Sequence, residues 1–225
     1  QQPSIASDGT LTFIPADDVN GVAAVTVTLK DNGGTTNSGI DTSIQQNFTI
    51  TIAPVNDKPT FTKGADQSAL EDTGTQTVSS WATNINEGAE NEQIQALTFD
   101  LTTNKDDLFT KEGKPAIDPD TGDLTYTPAH NANGQAIITV NLKDDGGTTN
   151  GGIDITTKTF IISVKPVNDI PSFTSGSNQL VKEDSGLTSV LWATDISEGA
   201  NNESSQFCKG HVIDKFEDTV GAGDG

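Results

Sequence analysis

The chain of 225 residues has no arginine and no methionine, a single cysteine and a single tyrosine. Its twelve positive charges are all lysine and face 32 acids, for a net charge of -20. Such a surface is a poor partner for nucleic acid, whose phosphates require basic patches. Anionic membranes repel it for the same reason, so no direct membrane contact is expected. Cations are its natural counter-charge. One cysteine, Cys208, rules out a disulfide framework within the chain. No stretch reaches the ~20 apolar residues of a membrane helix, and no signal peptide is visible. Aromatic residues make up only 5 % of the chain, which disfavours a broad aromatic patch for carbohydrate or protein ligands.

What the chain does have is repetition. The phrase PVNDKPTFT at 54–62 returns as PVNDIPSFT at 166–174, 112 residues later. PSIASDGTLTFIPADDVNG (3–21) returns as PAIDPDTGDLTYTPAHNANG (115–134), and VTVTLKDNGGTTNSGID (25–41) as ITVNLKDDGGTTNGGID (138–154). EDTGTQTVSSWATNINEGAENE (71–92) returns as EDSGLTSVLWATDISEGANNE (183–203), which puts Trp81 and Trp192 at one repeat position. The spacing matches the size of an ordinary domain. Residues 1–53 therefore read as the back half of a unit, 54–165 as a complete unit, 166–206 as the front part of another and 207–225 as an off-pattern tail. We read the whole as a segment of a longer protein.

Within the complete unit the apolar residues alternate: Leu97, Phe99 and Leu101; Leu124 and Tyr126; Ile138, Val140 and Leu142; Phe160, Ile162 and Val164. Period two over short runs predicts half-buried strands. The turn-forming phrases DTGD (120–123), NANG (131–134) and DDGG (144–147) separate them. No segment keeps a helical period. The expectation is an all-β chain of tandem antiparallel Greek-key β-sandwiches of about seven strands, immunoglobulin-like in architecture. Pro54 and Pro59 fix φ and donate no hydrogen bond, so the repeated phrase suits a short, stiff link after a final strand. Asn56 and Asp57 offer oxygens from that link.

These residues, in this order, resemble the cadherin-like tandem repeats of large bacterial surface proteins and adhesins. PVNDKP and PVNDIP are similar to the Asn-Asp and closing proline of the cadherin linker. Glu71 and Glu183 stand where cadherin units carry an early glutamate. ATNINEGAEN (82–91), ATDISEGANN (193–202), TGDLTYT (121–127) and KDDGG (143–147) match further segments. The resemblance covers 1–206. It implies calcium at each junction. The first junction would use Asn56, Asp57, the carbonyl of Lys58, Asn84, Asn86 and Asp144. The second would use Glu71, Asn168, Asp169, the carbonyl of Ile170 and Asp195. Such a set suits calcium, which takes 6–8 carboxylate, amide and carbonyl oxygens. The family's DRE motif is replaced by HNANG and DDVNG, and several charged ligands are neutral, which implies fewer ions than a full cadherin junction holds.

The last eight residues, DTVGAGDG, are similar to the signature of ribokinase-like sugar kinases. That likeness would make Gly221, Ala222 and Gly223 an anion hole and Asp224 a base. It covers under a tenth of the chain and lacks the α/β scaffold the chemistry needs. Asp144 and Asp145 read as turn residues rather than a catalytic pair. His130 and His211 have no metal-ligand partner at a recognisable spacing. The functional expectation is a non-catalytic spacer or adhesion module, extracellular or on a bacterial cell surface. Its partners would be neighbouring repeats and a surface ligand that the sequence does not name. Head-to-tail self-association of the two incomplete units is a further expectation.

Overall fold

A computed structural model describes residues 1–203 and 207–210. Those residues are all-β, with short 3-10 turns and no α-helix. Residues 1–53 supply β1 (Ser4–Ile5), β2 (Leu11–Thr12), β3 (Gly21–Val27) and β4 (Gln46–Ile52). The complete unit supplies β5 (Thr60–Thr62), β6 (Gln67–Leu70), β7 (Gln76–Val78), β8 (Thr83–Asn86) and β9 (Thr98–Thr103). It continues with β10 (Ala116–Ile117), β11 (Leu124–Tyr126), β12 (Gly134–Lys143) and β13 (Ile155–Lys165). The following unit contributes β14 (Ser172–Ser175) and β15 (Ala193–Ser197).

In the complete unit, one sheet runs β6-β13-β12-β9 and another β10-β11-β7, with β5 and β8 paired separately. Pairing is antiparallel except for β6, which lies parallel to β13. This one parallel pair departs from the all-antiparallel expectation. It arises because the chain reaches β6 from β5 without a hairpin and runs alongside the unit's last strand. The alternation read from the sequence falls where expected. Leu124 and Tyr126 from one sheet, and Ile138, Val140, Leu142, Phe160, Ile162 and Val164 from the other, are buried in a single core. This arrangement is consistent with a β-sandwich. Full burial of each such aliphatic side chain contributes about 1.5–3 kcal/mol. Trp81 closes the core against Phe160, ring centroids 4.3 Å apart, and its indole N–H donates to the Ala65 carbonyl at 2.9 Å.

The turns follow from their residues. Asn131, in the loop before β12, and Gly134, the first residue of β12, both adopt positive φ, conformations that Asn and Gly tolerate best. Their counterparts Asp18 and Gly21 do the same before β3. The β3–β4 hairpin keeps the register of β12–β13: Val25 faces Phe48 as Ile138 faces Phe160.

Candidate functional site

The end of β6 positions the central residue of the second junction. The parallel ladder closes with Lys165 opposite Leu70, and the Glu71 N–H then donates to the Lys165 carbonyl at 2.9 Å. Glu71 is thereby held against the PVNDIP link, and it is completely buried. Its Oε1 accepts the Val167 N–H at 2.8 Å. The Asn202 side-chain amide donates to both carboxylate oxygens at 2.9 Å, and Asn133 approaches Oε2 at 3.4 Å. One carboxylate of the complete unit thus joins that unit, the link and the following unit. The described ion pairs do not include it.

A second glutamate repeats the device from the other side. Glu203, in the short turn Asn201–Glu203, accepts the Asp169 N–H at 2.9 Å and the Ala200 N–H at 3.3 Å. Gly199, at φ 137°, passes so close that a Cβ there would overlap the Glu203 carboxylate and touch Asp169. Two oxygens in this cluster, Asp169 Oδ2 and Asn202 Oδ1, are buried and accept no hydrogen bond. Burial pushes the Asp169 carboxyl above its ordinary range, and the charges of Asp72, Glu203 and Glu71 push it further, partly offset by His130. Asp72 in turn takes the Asn131 N–H and the His130 ring, each at 3.0 Å.

The first junction is built differently. Asn56 is buried and donates to Asp144 Oδ1 at 3.0 Å and to the Ile153 carbonyl at 2.8 Å, while its own oxygen accepts from Gln95 at 2.7 Å. Gly146, which leaves room for this amide, also donates its N–H to Asp144 at 3.0 Å. Glu92 holds the Asp57 N–H with both oxygens, at 3.0 and 3.2 Å, as Glu203 holds Asp169. Asp144 Oδ2 and Gln95 Oε1 are buried without a partner.

Of the residues expected at the first junction, the structure brings Asn56 and Asp144 into contact and keeps Asp57 beside them through Glu92. Asn84 turns to Thr62 at 3.2 Å, Asn86 caps its own loop at Gly88, and Lys58 is exposed. At the second junction Glu71 and Asp169 share one cluster. Asn168 and Ile170 are exposed, and Asp195 is exposed with its own neighbour Thr194 as partner. The sequence reading overlooked Glu92, Glu203, Asn202, Gln95 and Asp72, and it set His130 aside without seeing its contact with Asp72. A signal for the glutamates existed: ENE and NNE occupy the same repeat position at 90–92 and 201–203. Gly221, Ala222, Gly223, Asp224 and His211 lie outside the described residues.

No protein-family model matches the chain, and no curated protein does. Among the described residues, no group of three or more His, Cys, Asp or Glu side chains is arranged to hold a metal ion. Calcium, however, also takes amide and carbonyl oxygens. The orphaned Asp169 and Asn202 oxygens beside Glu71 and Glu203 are a carboxylate and an amide oxygen of the kind that ion takes.

Proposed function

We infer that the chain is a non-catalytic, rod-forming segment of cadherin-like sandwich repeats, a spacer or adhesion module of a bacterial surface protein. The observation that carries this reading is Glu71, fully buried and bonded at once to the link and to Asn202 of the next unit. Repeat arrays depend on nearest-neighbour contacts, so the stiffness of the arm is set at such seams. The seam is over-supplied with acid. Glu71, Asp72 and Glu203 surround Asp169, whose carboxyl is raised first by burial and then by their charges. Calcium at the second junction would draw on the two unpartnered oxygens, Asp169 Oδ2 and Asn202 Oδ1, beside the Glu71 carboxylate, where it would offset repulsion and satisfy the orphaned atoms. Binding of an ion to the ordered seam alone stabilises that seam by linkage.

Calorimetric titration with calcium, paired with melts in calcium and in chelator, tests the reading. A saturable heat and a higher melting temperature in calcium are expected. Superimposable melts without a binding heat would remove the metal from the account.

A further inference from the structure

We propose that Asn150 is a self-modifying site: the backbone nitrogen of Gly151 converts its side-chain amide to a carboxylate, and the change releases the link at 54–59. The proposal does not depend on calcium. Four Asn-Gly pairs occur in the chain, at 20–21, 32–33, 133–134 and 150–151. In such a pair the reaction meets least hindrance, because no Cβ shields the glycine nitrogen. The fold sorts the four. Gly21 and Gly134 open β3 and β12 in register with Ile52 and Val164, so the ladders hold their backbones. The Gly33 N–H is held by the Asp31 carboxylate at 2.7 Å. Asn150 and Gly151 stand outside the strands, in the short turn Thr149–Gly151 between β12 and β13. Gly151 has φ 89°, a conformation that favours glycine, so the geometry of the turn itself retains the reactive neighbour. In the preceding unit Ser38 stands at that position, and its Cβ hinders the same attack.

What gives Asn150 a consequence is its partner. Its side-chain amide donates to the Pro54 carbonyl at 3.0 Å. Two residues further along the link, the Asn56 carbonyl accepts the Ile153 N–H at 3.0 Å. Turn and link therefore hold each other at two points. In the reaction the Gly151 nitrogen attacks Cγ of Asn150 and gives up its proton to water. The new C–N bond closes a succinimide ring, and the former side-chain nitrogen leaves as ammonia. Water then opens the ring. Attack at Cγ leaves aspartate, and attack at the main-chain carbonyl leaves isoaspartate. The net change is asparagine and water to an acid and ammonia. Before it starts, the amide must leave Pro54 and the turn must rotate, so the reaction proceeds from the locally opened state. Afterwards the side chain has no N–H to donate and sets a carboxylate against the Pro54 carbonyl. The bond does not re-form, and an opening of the first junction becomes a one-way release.

Incubation of the unaltered chain at neutral pH, followed by peptide mapping with mass spectrometry, tests this. Conversion at Asn150 ahead of Asn20, Asn32 and Asn133 is expected, as a mixture of aspartate and isoaspartate. Asn56→Ala removes the other side-chain anchors of the link and should speed conversion at Asn150 about fivefold, the population factor of one hydrogen bond of ordinary net worth. Asn150→Asp supplies the product directly, on an exposed turn. It should speed hydrogen exchange at the Ile153 N–H by a similar factor, about fivefold, while the amides of β12 keep their rates. Four results would overturn the proposal. They are no conversion at Asn150, earlier conversion at any of the other three asparagines, a rate at Asn150 unmoved by Asn56→Ala, and Ile153 exchange unmoved in Asn150→Asp.

Discussion

Replacing Glu71 separates a hydrogen-bonding seam from a metal-binding one. Glu71→Ala strands the Val167 N–H, bonded at 2.8 Å, and the Asn202 amide, bonded twice at 2.9 Å. A buried donor left unsatisfied costs about 1–3 kcal/mol, so the loss is roughly 2–6 kcal/mol in chelator. Glu71→Gln behaves otherwise. Its oxygen still accepts from Val167, and its new amide meets Asn202, whose Oδ1 has no donor. A flip of the Asn202 amide satisfies both, and a buried charge disappears, so the cost in chelator should stay within about 1 kcal/mol. In calcium the ranking changes. At a hundredfold excess over the dissociation constant, the unaltered chain gains about 2.7 kcal/mol by linkage. Glu71→Gln should gain less than about half of that. Urea unfolding of the three proteins, with and without calcium, gives all six values. Equal losses for Ala and Gln in chelator would refute the hydrogen-bond account, and equal calcium increments would refute the metal account.

Trp81→Ala should destabilise the complete unit by about 3–5 kcal/mol, whereas Trp192→Ala in dilute protein should cost under about 1 kcal/mol, because Trp192 is 42 % exposed; denaturant melts compare them. Gly146→Ala places a methyl group on the Asn56 amide, so it should lower the melting temperature and expose the link at 54–59 to protease; Gly147→Ala, which meets open space at a positive φ, should lower the melting temperature through backbone strain but leave the link protected. Asp118 is held below the ordinary carboxylate range by the Thr121 and Asp120 N–H groups. Its contribution is therefore present above the unfolded value and is lost as pH falls through the folded one; Asp118→Asn should lower stability at neutral pH and leave the acid end unmoved, flattening that part of an acid-unfolding curve.

The strands of the complete unit were legible because alternation is a local signal: Ile138, Val140 and Leu142 announce a half-buried strand without knowledge of their neighbours. The parallel placement of β6 was not, since QSAL has no strong period and becomes a strand only through β13. At the junctions, the repeated Asn-Asp phrase drew attention to the link but not to the side chains that bond around it. Asn84 and Asp195 match a ligand pattern by spacing, yet the fold leaves both exposed. Glu92 and Glu203 escaped notice because their partners, the Asp57 and Asp169 N–H groups, lie 35 and 34 residues away. Backbone donors carry no residue identity, so only the folded chain reveals such bonds. The buried state of Glu71 is likewise a product of two units meeting.

The central claim is that the Glu71-centred seam becomes a stiff joint when it holds calcium. Spin labels at Thr98 in the complete unit and Thr194 in the following one, on a Cys208→Ser background, report the distance between the units by pulsed electron resonance. A broad distribution in chelator that collapses to a narrow one in calcium, and stays broad in Glu71→Gln, is the result the account predicts. Distributions of equal width under both conditions would contradict it.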